Sequence, residues 1–261
     1  MVDYTLYMKT ETQNKMSSFI KERNGVSAKE IVAVLGLHPT GIFRHLKKLI
    51  NKKLIYKTGH VPNVLYYPLM NNEKGFLLKQ NAINWATQKI GVPPESQIYC
   101  QSRDVFQARQ DKLPKELNSV IKDEQQSFLL SAVVGEIGNN SFDHNFGNWP
   151  DVPGIYFHIN TCERVIILAD RGNGVFATLK KVRKDIQDDL GALRVAFLEI
   201  VSGRSPEQRG NGLKFVKKVA ESCKIKINFY SGNAMCSIES GQTKFTLSEN
   251  NVRGTVAIIN F

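Results

Sequence analysis

Three short stretches, Glu136-Ile-Gly-Asn-Asn140, Asp170-Arg-Gly172-Asn-Gly174 and Gly210-Asn-Gly212-Leu213, follow one another in the second half of the chain. Each combines side-chain oxygens or glycines with a position in or beside a predicted helix or strand. Such an order of separate elements rarely arises by chance, so it is more informative than any one stretch alone. Together the stretches predict one binding site that is built from three parts of the chain.

The first stretch lies in a predicted helix that spans residues 129–146. Glu136 and Asn140 are four residues apart and therefore share one face of that helix. A hard cation such as Mg²⁺ prefers oxygen ligands together with phosphate oxygens, and the amide oxygen of Asn140 can provide one of them. Glu136 is then free to orient or deprotonate a nucleophile.

The second stretch follows an apolar run with β-branched residues, 164–169, which predicts a buried strand that ends at Asp170. A carboxylate there can accept a hydrogen bond from an adenine amino group. Gly172 and Gly174 allow the backbone to turn closely against the base. The third stretch opens a helical pattern, and the free N–H groups at a helix start favour phosphate. The three stretches therefore predict an ATP site.

These residues resemble the motifs of the Bergerat-fold, or GHKL, ATPases, which include gyrase, histidine kinases, heat-shock chaperones, mismatch-repair ATPases and anti-sigma serine kinases. Residues 136–144 are similar to the N box of that family, 170–174 to its G1 box and 210–213 to its G2 box. Gly254-Thr255, before a last predicted strand, resembles the terminal Gly-Thr element. The resemblance covers residues 122–261 and implies a two-layer α/β sandwich that binds ATP and Mg²⁺.

The resemblance also implies a role for each matched residue. It makes Glu136 the catalytic carboxylate and Asn140 the Mg²⁺ ligand, while Asp170 and Thr255 contact adenine. Residues 175–209 would form a mobile lid over the phosphates. The nucleotide-binding set that it implies is Asn140, Asp170, Gly172, Gly174, Gly210, Gly212, Leu213, Lys214 and Thr255, with Arg204 and Arg209 as further cations near the phosphates.

The chain departs from two branches of this family. The sequence ends six residues after Thr255, so we do not expect the transducer domain of gyrase and mismatch-repair ATPases. A histidine kinase carries a phospho-accepting histidine on a preceding helix, and we expect none of the five histidines to serve as one. We expect slow Mg²⁺-dependent ATP hydrolysis, or phosphotransfer to a partner, rather than autophosphorylation in cis. The five histidines are His38, His45, His60, His144 and His158.

A separate pattern occupies residues 1–70. Ser27 is a plausible helix N-cap, because Glu30 follows three residues later as in a capping box. From residue 40 to 53 the apolar positions recur at helical spacing, with basic residues around them. Two short runs within residues 54–68 then predict a two-stranded hairpin.

This order of predicted helices and hairpin resembles the winged helix-turn-helix domains of bacterial regulators. Domains of that fold also serve in protein docking. Residues 1–70 hold 11 Lys and Arg against 4 Asp and Glu, whereas the remaining 191 residues hold 24 against 20. The positive charge is thus concentrated where DNA contact is expected, with a basic helix near the major groove. The residues predicted to contact DNA are Arg44, His45, Lys47, Lys48 and Lys57.

Composition is typical of a cytoplasmic protein. With 261 residues and 42% apolar content, the chain can bury two cores. No apolar run approaches the roughly 20 residues that cross a membrane, and no secretory signal is visible at the N-terminus. The four cysteines lack the Cys-x-x-Cys spacing, so neither zinc nor a disulfide framework is indicated.

The sequence therefore predicts an α+β protein with a winged helix-turn-helix domain over 1–70, a helical linker over 71–95 and an ATP-binding domain over 96–261. Two functions remain open. In one, the protein is a transcriptional regulator in which ATP orders the lid and changes DNA affinity. In the other, it is a serine/threonine kinase of the anti-sigma type that uses Glu136 as base on a partner protein. DNA half-sites usually occur in pairs, which is compatible with a homodimer.

Overall fold

The computed structural model describes residues 4–23, 25–51, 54–59, 62, 64–68, 74–199 and 212–261. The chain divides into two compact units, a first unit from Met1 to Phe76 and a second unit from Leu77 to Phe261. It is an α+β protein, and every strand pairing among the described residues is antiparallel. None of the helices in the described ranges has the length and apolar character needed to span a bilayer.

The first unit consists of helices packed on a small sheet. Its elements are α1 (Tyr4–Arg23), β1 (Val26–Ser27), α2 (Ala28–Leu35), α3 (Pro39–Asn51), β2 (Ile55–Thr58) and β3 (Leu65–Pro68), with the strands in the order β1-β3-β2. The predicted capping box is confirmed, because the Ser27 Oγ accepts from the Glu30 amide and the Glu30 Oε2 accepts from the Ser27 amide at 2.7 Å. Gly36 caps the C-terminus of α2, and its φ of 61° is in the left-handed region.

The second unit is built on a five-stranded sheet in the order β4-β5-β6-β8-β7. Helix α7 is the longest of its helices that the structure describes, and it lies beside the centre of the sheet. The elements are α4 (Lys74–Thr87), β4 (Tyr99–Cys100), α5 (Arg103–Gln110), α6 (Leu113–Asn118), α7 (Glu124–Asn145), β5 (Ile155–Asn160), β6 (Val165–Asp170), α8 (Gly174–Leu179), α9 (Asp189–Leu198), α10 (Gly212–Ser222), β7 (Lys226–Glu239) and β8 (Gln242–Asn260).

Both faces of this sheet are covered. On β6, Ile166 and Leu168 pack in one core with side chains of α7, α9 and α10, whereas Val165, Ile167 and Ala169 pack in a second core with α4. This alternation follows from the strand period of two. The strand ends at Asp170, whose side chain continues the face that α7 covers.

Most of helix α4 is a structural part of the second unit. The sequence predicts residues 71–95 as a linker, but Ala82, Ile83, Trp85 and Ala86 are buried in the core on the α4 face of the sheet. Their apolar stripe is used to cover strands rather than to connect two domains. The division between the units falls inside α4, after Phe76.

Candidate functional site

Asp170 is the most buried carboxylate of the predicted nucleotide site, with 1% of its surface exposed. It accepts three hydrogen bonds, from the Ser141 hydroxyl at 2.9 Å, the Gly172 amide at 2.8 Å and the Thr255 hydroxyl at 2.5 Å. Burial raises the pKa of Asp170 above its ordinary value, although these hydrogen bonds favour the charged form. The carboxylate is therefore held in one orientation by α7, by the turn after β6 and by β8.

Two glycines allow the backbone segments around Asp170 to approach each other. A Cβ atom on Gly254 would lie 2.3 Å from the Asp170 Oδ1 and 2.6 Å from the Gly172 amide nitrogen, and its φ is +70°. A Cβ atom on Gly172 would lie 2.1 Å from the Asn145 Nδ2. Neither position has room for a side chain. The structure thus brings together the second stretch and the Gly-Thr pair, as the sequence predicts.

Three polar residues that the sequence patterns did not identify hold this region together, namely Ser141, Asn145 and Ser231. Asn145, at the end of α7, donates to the Ser141 carbonyl at 2.8 Å and accepts from the Asn173 amide at 2.9 Å. Ser231, on β7, donates to the Gly254 carbonyl at 3.1 Å and accepts from the Val175 amide at 2.9 Å. The spacing of Ser141 and Asn145 on one helix face could have indicated them. Ser231 has no such local signal.

Glu136 connects the first stretch with the third. Its side chain is half-buried, and a Cβ atom on Gly212 would lie 1.8 Å from the Glu136 Oε1. Gly212 is the first residue of α10, so the start of that helix lies directly against the carboxylate. Glu136 and Ser141 are five residues apart on α7, which corresponds to about 7.5 Å along the helix axis. The third stretch therefore contacts the C-terminal half of α7 through Glu136 and the second through Ser141, and these two residues point about 140° apart around the helix.

The donor set on α7 fits a magnesium ion better than a zinc ion. Among residues 4–199 and 212–261, apart from the short gaps in the description, no group of three or more His, Cys, Asp or Glu side chains could hold a metal. Glu136 and the half-buried Asn140 share one helix face and offer oxygen atoms only. Mg²⁺ is commonly held by one or two such protein oxygens, with water and phosphate oxygens as its other ligands.

The remaining residues of the predicted nucleotide set have other surroundings. Leu213 is partly buried and packs against the core under α7. The Lys214 Nζ donates to the backbone carbonyl of Glu199, and burial lowers the pKa of Lys214. Gly174 starts α8 with a φ of +75°, next to the Ser231 hydroxyl. Gly210, Arg204 and Arg209 lie outside the described residues.

The first part of the predicted lid is folded against the core. Within 175–209 the structure describes residues 175–199, which include α9 and most of α8. Leu193 and Phe197 of α9 are fully buried in the same core as α7, and Phe197 packs edge-on against Phe229. This part of the segment is anchored to the sheet, because its helix supplies core side chains.

The first unit presents a basic face on α3, formed by Arg44, Lys47 and Lys48. All three are exposed, while Ile42, Leu46 and Leu49 on the opposite side are buried. Lys57 is exposed on β2. The other residue predicted to contact DNA, His45, is half-buried and lies one turn before Leu49, away from the centre of this face.

A scan against protein-family models matches none of them to this chain, and a search of curated proteins finds no match. The two features that bear on function are therefore the polar site around Asp170 and the basic face of α3.

Proposed function

We propose that this protein is an ATP-binding transcriptional regulator whose affinity for DNA depends on the bound nucleotide. The observation that carries the proposal is that the C-terminal half of α7 contacts Gly212 through Glu136 and the Asp170–Thr255 pair through Ser141. The antiparallel sheet with α7, α9 and α10 on one face supports the resemblance to GHKL ATPases. The order of helices and hairpin in the first unit supports the resemblance to winged helix-turn-helix domains.

In this proposal Asp170 accepts a hydrogen bond from the adenine amino group. Its carboxylate becomes available when the Ser141 hydroxyl turns away, and that hydroxyl has a second acceptor in the Ile137 carbonyl at 3.4 Å. Thr255 stays beside the base, because its hydroxyl can donate to the carboxylate while its oxygen accepts from the ligand. The absence of side chains at Gly172 and Gly254 lets the backbone lie close to the base plane.

The phosphate end of the nucleotide would lie toward Glu136. Asn140 would hold Mg²⁺, which neutralises charge on the phosphates when it is bound. Glu136 orients water for a slow hydrolysis step, or the hydroxyl of an acceptor protein. Since Gly212 lies against this carboxylate, the start of α10 would be next to the position where ATP and ADP differ. A ligand shifts an equilibrium only through such a difference in affinity between two states.

The experiment that tests the proposal measures the affinity of the full chain for a mixed-sequence DNA duplex without nucleotide, with Mg²⁺-ADP and with Mg²⁺-ATP. We expect the ATP and ADP states to differ by about fivefold or more, the lower end of typical coupling between sites. Asn140→Ala should abolish the difference. Glu136→Gln is the matched control on the same helix face, and it should keep the difference because the metal ligand remains. Equal DNA affinity in all three states would contradict the proposal.

The basic face of α3 gives a second expected outcome. Lys47→Ala should reduce the slope of log affinity against log salt by about 1, because one phosphate contact is lost. Lys21→Ala removes an exposed lysine from the last turn of α1 and serves as the control, with an unchanged slope. Fluorescence anisotropy of a labelled duplex at several salt concentrations measures the slope for each variant. An equal effect of the two substitutions would mean that α3 is not the DNA-binding element.

A further inference from the structure

Arg171 is a fully buried arginine that follows Asp170 directly. Its guanidinium forms a bidentate ion pair with Asp151, with the Nη2 2.6 Å from the Oδ2 and the Nε 3.1 Å from the Oδ1. It also donates to the backbone carbonyls of Trp85 and Gln88, the latter at 2.7 Å. A buried charge is costly unless it is paired in this way. The nucleotide chemistry proposed above makes no use of this residue.

Trp85 is in the last turn of α4, and Gln88 directly follows the helix. The last four carbonyls of a helix have no partner within the helix, and a cation near them is favourable. The chain that follows passes closely over Arg171, since a Cβ atom on Gly91 would lie 2.5 Å from its Nε. The Trp85 indole donates to the Val92 carbonyl at 2.8 Å, which closes the same turn. Arg171 is therefore the anchor for the end of α4.

Asp170 and Arg171 hold one backbone turn from opposite sides of the sheet. The Asp170 side chain faces α7 through Ser141, and the Arg171 side chain faces α4 through Trp85. Successive residues of an extended strand point to opposite faces, which explains this division. A shift of the turn when Asp170 exchanges a hydroxyl for a ligand would act directly on the Arg171 guanidinium.

We propose that Arg171 transmits the nucleotide state of the Asp170 site to α4, the helix in which the two units of the chain divide. The inference rests on the proposed binding of nucleotide at Asp170, and it adds the element through which binding is communicated. Arg171 is a positioning residue, because it bonds to Asp151 and to α4 rather than to the ligand. Its effect should appear in the response to nucleotide more than in the affinity for it.

Amide hydrogen exchange of the full chain with and without Mg²⁺-ATP tests this inference. We expect ATP to slow exchange at residues 82–90 by about fivefold or more, as for typical coupling between sites. Arg171→Lys keeps the charge but cannot bridge Asp151 and both carbonyls at once. It should still bind ATP in calorimetry while losing the slowed exchange and the ATP effect on DNA affinity. Asp151→Asn, at the partly exposed partner, should give the same loss if Arg171→Lys does not fold.

Arg109→Lys is the matched control. The Arg109 guanidinium also donates to two backbone carbonyls, those of Ser96 and Gln97, and it makes no contact with the turn after β6. This variant should keep the response of residues 82–90. If ATP binds and slows exchange at 170–175 but leaves 82–90 unchanged in the unmodified protein, the inference is wrong and the proposed function stands. If calorimetry detects no ATP binding, the proposed function fails and the inference fails with it.

Discussion

Asp170→Asn is expected to weaken ATP binding by about 10- to 150-fold, because a hydrogen bond to a buried charged acceptor contributes roughly 1.5–3 kcal/mol. The asparagine amide would have one acceptor oxygen and would direct an NH₂ group toward the hydroxyls of Ser141 and Thr255 or toward the adenine amino group. Calorimetric titration with ATP, ADP and a non-hydrolysable ATP analogue in Mg²⁺ measures the loss. The variant should retain the secondary structure of the unmodified protein by circular dichroism.

Asp123→Asn is the control for the same chemical change. Asp123 caps the start of α7, where its side chain accepts from the Gln126 amide at 3.2 Å. Asparagine caps a helix about as well as aspartate, so ATP affinity should be unchanged. If Asp170→Asn binds ATP no more weakly than Asp123→Asn, Asp170 is not the adenine acceptor.

Gly254→Ala is expected to lower the free energy of unfolding by about 3 kcal/mol, as the sum of left-handed strain and overpacking. The added Cβ atom would lie 2.3 Å from the Asp170 Oδ1 and 2.6 Å from the Gly172 nitrogen, and the neighbouring atoms are backbone or are held by hydrogen bonds. ATP binding should be lost as well, because the added Cβ atom would displace the Asp170 carboxylate. Urea unfolding followed by fluorescence and circular dichroism gives the change in stability.

Gly241→Ala is the control that introduces the left-handed backbone strain without the steric overlap of the Cβ atom. Gly241 lies in the turn between β7 and β8 with a φ of +74°, close to the +70° of Gly254, and a Cβ atom there would meet nothing within 4 Å. It should cost only the left-handed strain of about 1 kcal/mol and leave ATP binding intact. Equal losses in the two variants would show that the segments around Asp170 can move apart at little cost.

Local sequence patterns predicted the elements that carry the site. The strand that ends at Asp170 and the helix with Glu136 and Asn140 on one face both follow from periodicity over a few residues. The spacing of Ser141 and Asn145 on α7 could have indicated that both belong to the site, but no local pattern identifies the distant partners of Ser141 and Ser231. Their hydrogen-bond partners lie 29 and 23 residues away and come together only when the sheet forms.

Charged and apolar residues with tertiary roles were harder to predict. An arginine is usually exposed, so nothing in the sequence marks Arg171 as a buried anchor for α4. The apolar residues of α4 predict an amphipathic helix but not the sheet that it covers. His45 follows Arg44 in sequence, yet each helical residue turns by about 100°, which moves it toward the half-buried side.

A fragment that starts at residue 96 would lack α4 and would leave one face of the five-stranded sheet uncovered. The side chains that would then contact water form a continuous apolar surface, and surfaces of this kind promote self-association and aggregation. They include Tyr156, Val165, Ile167, Ala169, Val256 and Ile258. A fragment that keeps this face covered would have to begin at or before Lys74 and would carry the last residues of the first unit with it.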